Sequence, residues 1–283
     1  MYLEIVANGL FLGAIYALFA VPMSVVWVTT DVIDVSIGAY AVLAGVVAAV
    51  FGLPYGGLLG IAAAMALGAV TGAIFLGFHA LRTMKDAMPI VLATFALLLF
   101  VESALLVAVG TDNQFVERVP GIWLIGDSVI GRQGLFNLAC SVVLMLALTA
   151  VLKWSPAGLR MKACAISAKN ASLAGIPVKR TQFLTFVLCA GIAGSGGVLA
   201  SMSIGMTYAS AFTFTTIAFG SAVVLGRRGP LPAFLGGLLI GLAESVSEAF
   251  LPNGWAPAVP AVLIIVVLAS GRMPTAAFSG ARP

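Results

Sequence analysis

The sequence predicts an all-α membrane protein: a polytopic helical bundle of eight or nine transmembrane segments, one or two of them broken or re-entrant. Three observations predict it. Hydrophobic residues make up 61% of the 283 and charged residues only 8%, and the mean hydropathy is +1.15; no soluble domain of this length needs so much apolar surface. The apolar residues come in long continuous runs, whereas a membrane β-barrel shows short segments of alternating polarity. The Lys and Arg gather in a few connecting segments, as they do on one side of a multi-pass protein.

The apolar segments lie at 5–28, 32–51, 56–80, 88–110, 135–152, 181–203, 210–225, 231–250 and 257–271. Each approaches the roughly 20 residues that cross a bilayer. The opening MYLEIVANGLFLG has no basic leading region and no obvious cleavage site, so it reads as a retained span. The run 32–51 opens on the polar stretch TTDVIDVSIGAYA, and 210–225 is short; these two are the candidates for broken spans. The polar-aromatic stretch Asp31–Tyr40 has a faint counterpart at Thr207–Thr216, each at the start of a glycine-bearing apolar run. Gly9 with Gly13, Gly68 with Gly72, and Gly237 with Gly241 stand four apart. Such small-residue faces let helix backbones approach closely within one subunit, or between two.

Charge gives an orientation. If Lys153–Arg180 is cytoplasmic, alternation puts 81–87, 226–230 and the C-terminus on the same side, which then holds twelve of the fourteen Lys and Arg. Only Arg118 and Arg132 fall opposite, in 111–134, an extracytoplasmic connection that also holds Asp112, Glu117 and Asp127. The expectation is N-terminus out and C-terminus in. The formal charge of +4 follows from this bias and points to no nucleic acid.

The segment 153–180, KWSPAGLRMKACAISAKNASLAGIPVKR, is longer than a turn between spans requires. Ser155 before Pro156 is a helix start, and Gly175 with Pro177 a helix stop. A long, basic, helical loop on one side suggests a docking surface for a partner in water. Arg227–Arg228–Gly229–Pro230 is too short for that and reads as a tight turn.

Several chemistries are excluded. No GxxxxGK[ST] phosphate loop occurs, so the chain binds no ATP in that manner. The lone histidine, His79, provides neither HExxH nor a His-bearing triad. Cys140, Cys164 and Cys189 are scattered and read as small buried apolar residues, with no disulfide, metal or cofactor implied. The acids are few. Asp31 and Asp34 lie in a solvated turn or in a broken helix lining a cavity. Glu244 and Glu248 share a helix face at a vestibule edge. Glu102 stands alone in LLLFVESALL, snorkelling or bonded to a neighbouring helix.

The run ACAISAKNASLAGIPVKRTQFLTFVLCAGIAGSGGVLAS (163–201) resembles the coupling segment and following span of branched-chain amino acid ABC importer permeases. So does the opening Ser155–Arg160. NGLFLGAIYALFAVPMSVVW (8–27) is similar to that family's first span, and AFGSAVVLGRRGPLPAFLGGLLIGLAES (218–245) to its late glycine-rich signature, including Glu244. There are departures. Ile166 and Ser167 stand where the family carries acids. Ile33–Gly38 replaces an INFAHG-like motif, with Asp34 and Ile37 at its polar Asn and His. Gly226–Ala233 replaces a GGxGSxxGA turn.

The resemblance implies a subunit of the bacterial inner membrane, working with a second permease subunit, two ATP-binding cassette subunits and a periplasmic substrate-binding protein. Residues 1–283 would form one permease domain. A short lever helix near Ala168–Ala174 would couple it to the ATPases through Ala168, Lys169, Ala171, Ser172, Leu173 and Gly175. Asp34, Ser36, Gly38, Tyr40 and Glu244 would be candidates for the pathway. Urea, amides and carboxylates stand beside branched-chain amino acids as implied solutes. Two alternatives remain: a stand-alone secondary transporter or channel using Asp34 or Glu102 as an ion site, and a passive membrane scaffold.

Overall fold

The computed structural model describes residues 2–80, 88–117, 121–125, 128–225, 229–250 and 258–269. Arg82, Lys85, Arg118, Asp127, the turn residues Arg227 and Arg228, Arg272 and Arg282 lie outside them. Among the described residues are eleven helices and one hairpin: α1 (Tyr2–Thr30), α2 (Ile37–Phe51), α3 (Tyr55–Ala80), α4 (Met88–Val109), β1 (Ile122–Ile125), β2 (Ser128–Gly131), α5 (Arg132–Trp154), α6 (Pro156–Ile166), α7 (Ala168–Leu173), α8 (Val178–Ser203), α9 (Ser210–Val224), α10 (Pro230–Phe250) and α11 (Ala258–Ala269).

Six helices, α1, α3, α4, α5, α8 and α10, are long and apolar enough to cross a membrane. The two segments expected to be broken are broken. α2 and α9 are fifteen residues each, about 22 Å at 1.5 Å per residue, short of the roughly 30 Å of hydrocarbon. The second apolar run therefore becomes helical at Ile37 and not at 32. The antiparallel hairpin β1–β2, with Ile122 opposite Gly131 and Ile125 opposite Ser128, falls inside the 111–134 connection. No sequence signal for strands had distinguished it from loop.

Helix α1 is the axis of the bundle, its residues Gly13 to Trp27 all buried. It lies closest to α10, and glycine makes the approach possible. A Cβ on Gly9 would come within 2.9 Å of the Leu242 Cα, and one on Gly13 within 2.8 Å of the Leu238 Cα; Gly237 and Gly241 meet Ala17 and Gly13 in return. Two side chains pin the pair near its ends: the Ser245 hydroxyl donates to the Ile5 carbonyl at 2.8 Å, and Ser24 to Gly229 at 3.1 Å. Gly68 and Gly72 likewise seat α3 on Ala190, Phe186 and Phe183 of α8. All three glycine pairs thus pack helices within one subunit. The apolar core is rich in small side chains and aromatic rings, including a Phe19–Phe214 stack at 5.0 Å between α1 and α9.

Candidate functional site

Two regions gather the residues singled out by the sequence. One is the basic loop. Ser155 accepts from Gly158 N at 3.0 Å with Pro156 in the first turn, and this starts α6. The loop is not one helix but two. Ser167 ends α6 and caps α7, its hydroxyl accepting from Asn170 N at 3.2 Å. Gly175, at φ 79°, stops α7 with a paired closure: Gly175 N donates to the Ser172 carbonyl at 3.1 Å, and Ile176 N to Ala171 at 3.0 Å. This 5→2 and 6→1 pattern needs the left-handed backbone that glycine supplies.

Only Ala171 of α7 is buried; Lys169, Asn170, Ser172 and Leu173 are exposed, Leu173 by 80%. Ala168, Lys169 and Ser172 border a groove of about 600 Å³ whose other side is formed by His79, Lys179, Arg180 and Gln182. Beneath α6, burial pushes the Cys164 thiol up against the opposing effect of a hydrogen bond with Thr181, which leaves it an inert packing group.

The other region is the pair of helix breaks. At the break between α1 and α2 and in the first turn of α2, Asp34, Ser36, Gly38 and Tyr40 fall together; all are buried, Asp34, Ser36 and Tyr40 to 1% exposure or less. They are joined by Thr71 of α3, whose hydroxyl lies 2.8 Å from the Tyr40 hydroxyl. Val35 N donates to Thr94 of α4 at 3.2 Å. Thr215 of α9 accepts from Gly38 N at 3.0 Å and donates to the Val35 carbonyl at 2.9 Å. The break is therefore fastened to three helices, and Thr215 serves one of the first-turn N–H groups that a helix start leaves unpaired.

The second break, 204–209, leads into α9. Gly205 takes φ 69°, and Met206 pairs with Gln114 in both directions, at 2.8 and 3.0 Å. The starts of α2 and α9 meet, for a Cβ on Gly38 would strike the Ala211 carbonyl. Glu102 of α4 accepts from Phe212 N at 3.2 Å, serving the start of α9 as Thr215 serves that of α2. The faint likeness between Asp31–Tyr40 and Thr207–Thr216 thus corresponds to a shared arrangement: a long span, a six-residue break and a fifteen-residue helix.

Glu244 is not part of this cluster. It sits at the α1–α10 seam, where Tyr16 bonds one carboxylate oxygen and the other, Oε2, has no hydrogen-bond partner among the described residues. Sequence reasoning missed Thr71, Thr94 and Thr215. Their only signal was a single hydroxyl inside an apolar run, and α9 alone carries four other hydroxyls. Among the described residues no group of three or more His, Cys, Asp and Glu is placed to hold a metal ion.

Comparison with known proteins agrees with this architecture. The family described as Branched-chain amino acid transport system / permease component matches residues 5–268. The high-affinity branched-chain amino acid transport system permease protein LivH of Escherichia coli K12 is 29% identical over 94% of this chain and 92% of its own length. BraD of Pseudomonas aeruginosa, named for the same system, is 29% identical over 94% and 93%. Among solved structures, a chain of PsaBC from Streptococcus pneumoniae in complex with Fab shares the fold, with a TM-score of 0.52, 14% identity and coverage of 92% of this chain and 90% of that one. A family match over nearly the whole length, on a helical bundle with two broken spans and a capped helix in its basic loop, establishes that this chain belongs to the branched-chain amino acid transport permease family of ABC transporters.

Proposed function

We propose that this chain is one of two permease subunits, alike or different, that together import branched-chain amino acids or a related small solute across the bacterial inner membrane. Two ATP-binding subunits supply the energy, and a periplasmic binding protein delivers the solute. ATP is hydrolysed by those partners, since the chain itself carries no phosphate loop. Residues 1–283 act as one permease domain, with the N-terminus outside, the C-terminus in the cytoplasm, 153–180 as the cytoplasmic coupling loop and 111–134 outside. The charge bias supports this orientation.

The observation that carries the reading is α7. A free six-residue helix is unstable in water, because nucleation is costly. Here it is held by a serine cap, a glycine stop and one buried alanine, while Lys169, Ser172 and Leu173 are presented outward beside a basic groove. A rigid projecting helix suits insertion into a groove of an ATPase, whose closure then pushes α6 and α8 as levers. The family's acids are absent at Ile166 and Ser167, so docking depends on Lys169, Lys179 and Arg180 facing acidic groups of the partner. Asp34, Ser36, Gly38 and Tyr40 shape the pathway from behind its wall. The wall itself is the stripe of exposed Phe212 and Thr213 and half-buried Thr216 beside Glu102, and Glu244 borders it farther along.

The test is Ser172→Arg and Leu173→Glu in the chain co-expressed with its ATP-binding partners. The expected result is a chain that still inserts but loses solute uptake, with ATPase activity no longer raised by the loaded binding protein. If both variants transport and stimulate normally, α7 is not the coupling helix.

A further inference from the structure

The carboxyl group of Asp34 is 1% exposed, and no Lys, Arg or His pairs with it among the described residues. Its ionisable neighbours are Tyr40 and, within electrostatic reach, Cys189 of α8, neither of which can bring positive charge. A bare carboxylate in such a place is strongly disfavoured.

The hydrogen bonds decide the matter by counting protons. Five oxygen–oxygen contacts join the group: Asp34 Oδ1 to Ser36 Oγ at 2.5 Å, Ser36 Oγ to Tyr40 Oη at 2.7 Å, Tyr40 Oη to Thr71 Oγ1 at 2.8 Å, Tyr40 Oη to Asp34 Oδ2 at 3.0 Å, and Thr71 Oγ1 to the Leu67 carbonyl at 3.1 Å. Three hydroxyls supply three protons. If Asp34 is ionised, those three leave two contacts without a hydrogen. Either the Oδ2 of a buried carboxylate then has no donor, or one of the two shortest contacts, Asp34–Ser36 at 2.5 Å or Ser36–Tyr40 at 2.7 Å, has nothing between its oxygens. One more proton removes the conflict. Asp34 Oδ1 donates to Ser36, Ser36 to Tyr40, Tyr40 to Thr71 and Thr71 to Leu67. Only the 3.0 Å contact is left over, and Oδ1 still accepts from Ser36 N at 2.9 Å.

We propose that Asp34 is a neutral carboxylic acid acting as a positioning residue, its proton completing a continuous hydrogen-bond chain that fastens the α1–α2 break to α3. The acid then carries neither solute nor protons. It sets where α2 begins and hence where Gly38 and Thr215 meet, and the assignment stands whichever solute the importer takes.

Infrared difference spectroscopy tests it on the chain purified with the subunits it assembles with, at neutral pH. Wild type minus Asp34→Asn should show the carbonyl stretch of a protonated carboxyl group. Ser36→Ala, which removes that proton's acceptor, should move the band to higher frequency. In uptake assays Asp34→Asn, which keeps a donor and an acceptor, should stay within about twofold of wild type, while Asp34→Ala should fall about tenfold or more as the buried chain loses its head. A carboxylate signature in place of the carbonyl band overturns the proposal. So does a band that Ser36→Ala leaves unmoved, or an assembled Asp34→Asn protein that transports as poorly as Asp34→Ala. The Ser36→Ala spectrum is decisive even if neither Asp34 variant folds.

Discussion

The two breaks are built alike but held differently. In the first, buried side chains do the holding: Asp34, Ser36 and Tyr40 with Thr71, Val35 with Thr94, and Gly38 with Thr215. In the second, backbone does most of it, through the Gln114–Met206 pair and the bond from Val116 N to the Ser201 carbonyl, with the Glu102 carboxylate added at the start of α9. In the first, Asp34 and Ser36 are buried although Asp31 beside them is exposed, whereas in the second Ile204 is 42% exposed and Tyr208 is half-buried. Side-chain bonds in a dry interior fix one geometry, because each donor left unpaired costs its full desolvation. A backbone pair to the 111–117 connection ties the second break to whatever moves that connection. The first break is thus held by buried side chains of neighbouring helices, and the second by the 111–117 connection.

The comparison breaks most sharply at Gly38. Its Cβ position is already filled by the Ala211 backbone, with the Thr215 Oγ1 at 2.6 Å. Gly38→Ala must push the two helix starts apart, at a cost above about 3 kcal/mol. Size-exclusion profiles of the extracted protein should show loss of the folded species. A folded, assembled Gly38→Ala protein would mean that the two helix starts do not meet.

Thr215→Val comes next. It keeps the shape but strands the Gly38 N–H and the Val35 carbonyl, both in the interior. The expected loss is about 2–4 kcal/mol, read as a lower midpoint of thermal unfolding in detergent. Thr215→Ser should restore most of it. If valine were as stable as threonine, the first break would owe its position to packing alone.

The sequence made the spans, the basic loop and both breaks legible for separate physical reasons. Long apolar runs have one solution in lipid, because every backbone group must be satisfied within the segment. The start of α6 and the stop after α7 were written in Ser155–Pro156 and Gly175–Pro177. The polar stretch at Asp34–Tyr40 flagged the first break, but its meaning could not be read. Burial of Asp34 depends on α3, α4 and α9, which no local pattern brings together. Thr71, Thr94 and Thr215 were invisible for the same reason. The resemblance had placed a short helix near Ala168–Ala174, where α7 lies, but the split of the basic loop at Ser167 was not read from the residues, since Ser167 ends one helix and caps the next only once α7 has turned away from α6.

Gly205→Ala probes the second break. It forces a left-handed backbone on a residue with a Cβ, at about 1–2 kcal/mol, and presses on the Phe115 ring. The loss of thermal stability should be smaller than for Thr215→Val. Transport should suffer more than stability does, because the displaced segment is the one tied to the 111–117 connection. Equal losses in both assays would make the two breaks equivalent.

The smallest effect is expected at Glu102, where the comparison also meets the ion-site alternative. Its carboxylate accepts from Phe212 N at the start of α9, on an exposed face. A side-chain acceptor at a helix start contributes about 1 kcal/mol, and a negative charge there adds a few tenths through the helix dipole. Glu102→Ala should therefore lower stability by about 1 kcal/mol, and Glu102→Gln, which keeps an acceptor oxygen but not the charge, by half that or less. Uptake should follow the same order and stay measurable in both. An ion or proton site makes the opposite prediction: glutamine, unable to ionise, would abolish uptake while leaving the protein as stable as wild type. The Glu102→Gln variant alone separates a carboxylate that holds a half-helix in place from one that carries charge across the membrane.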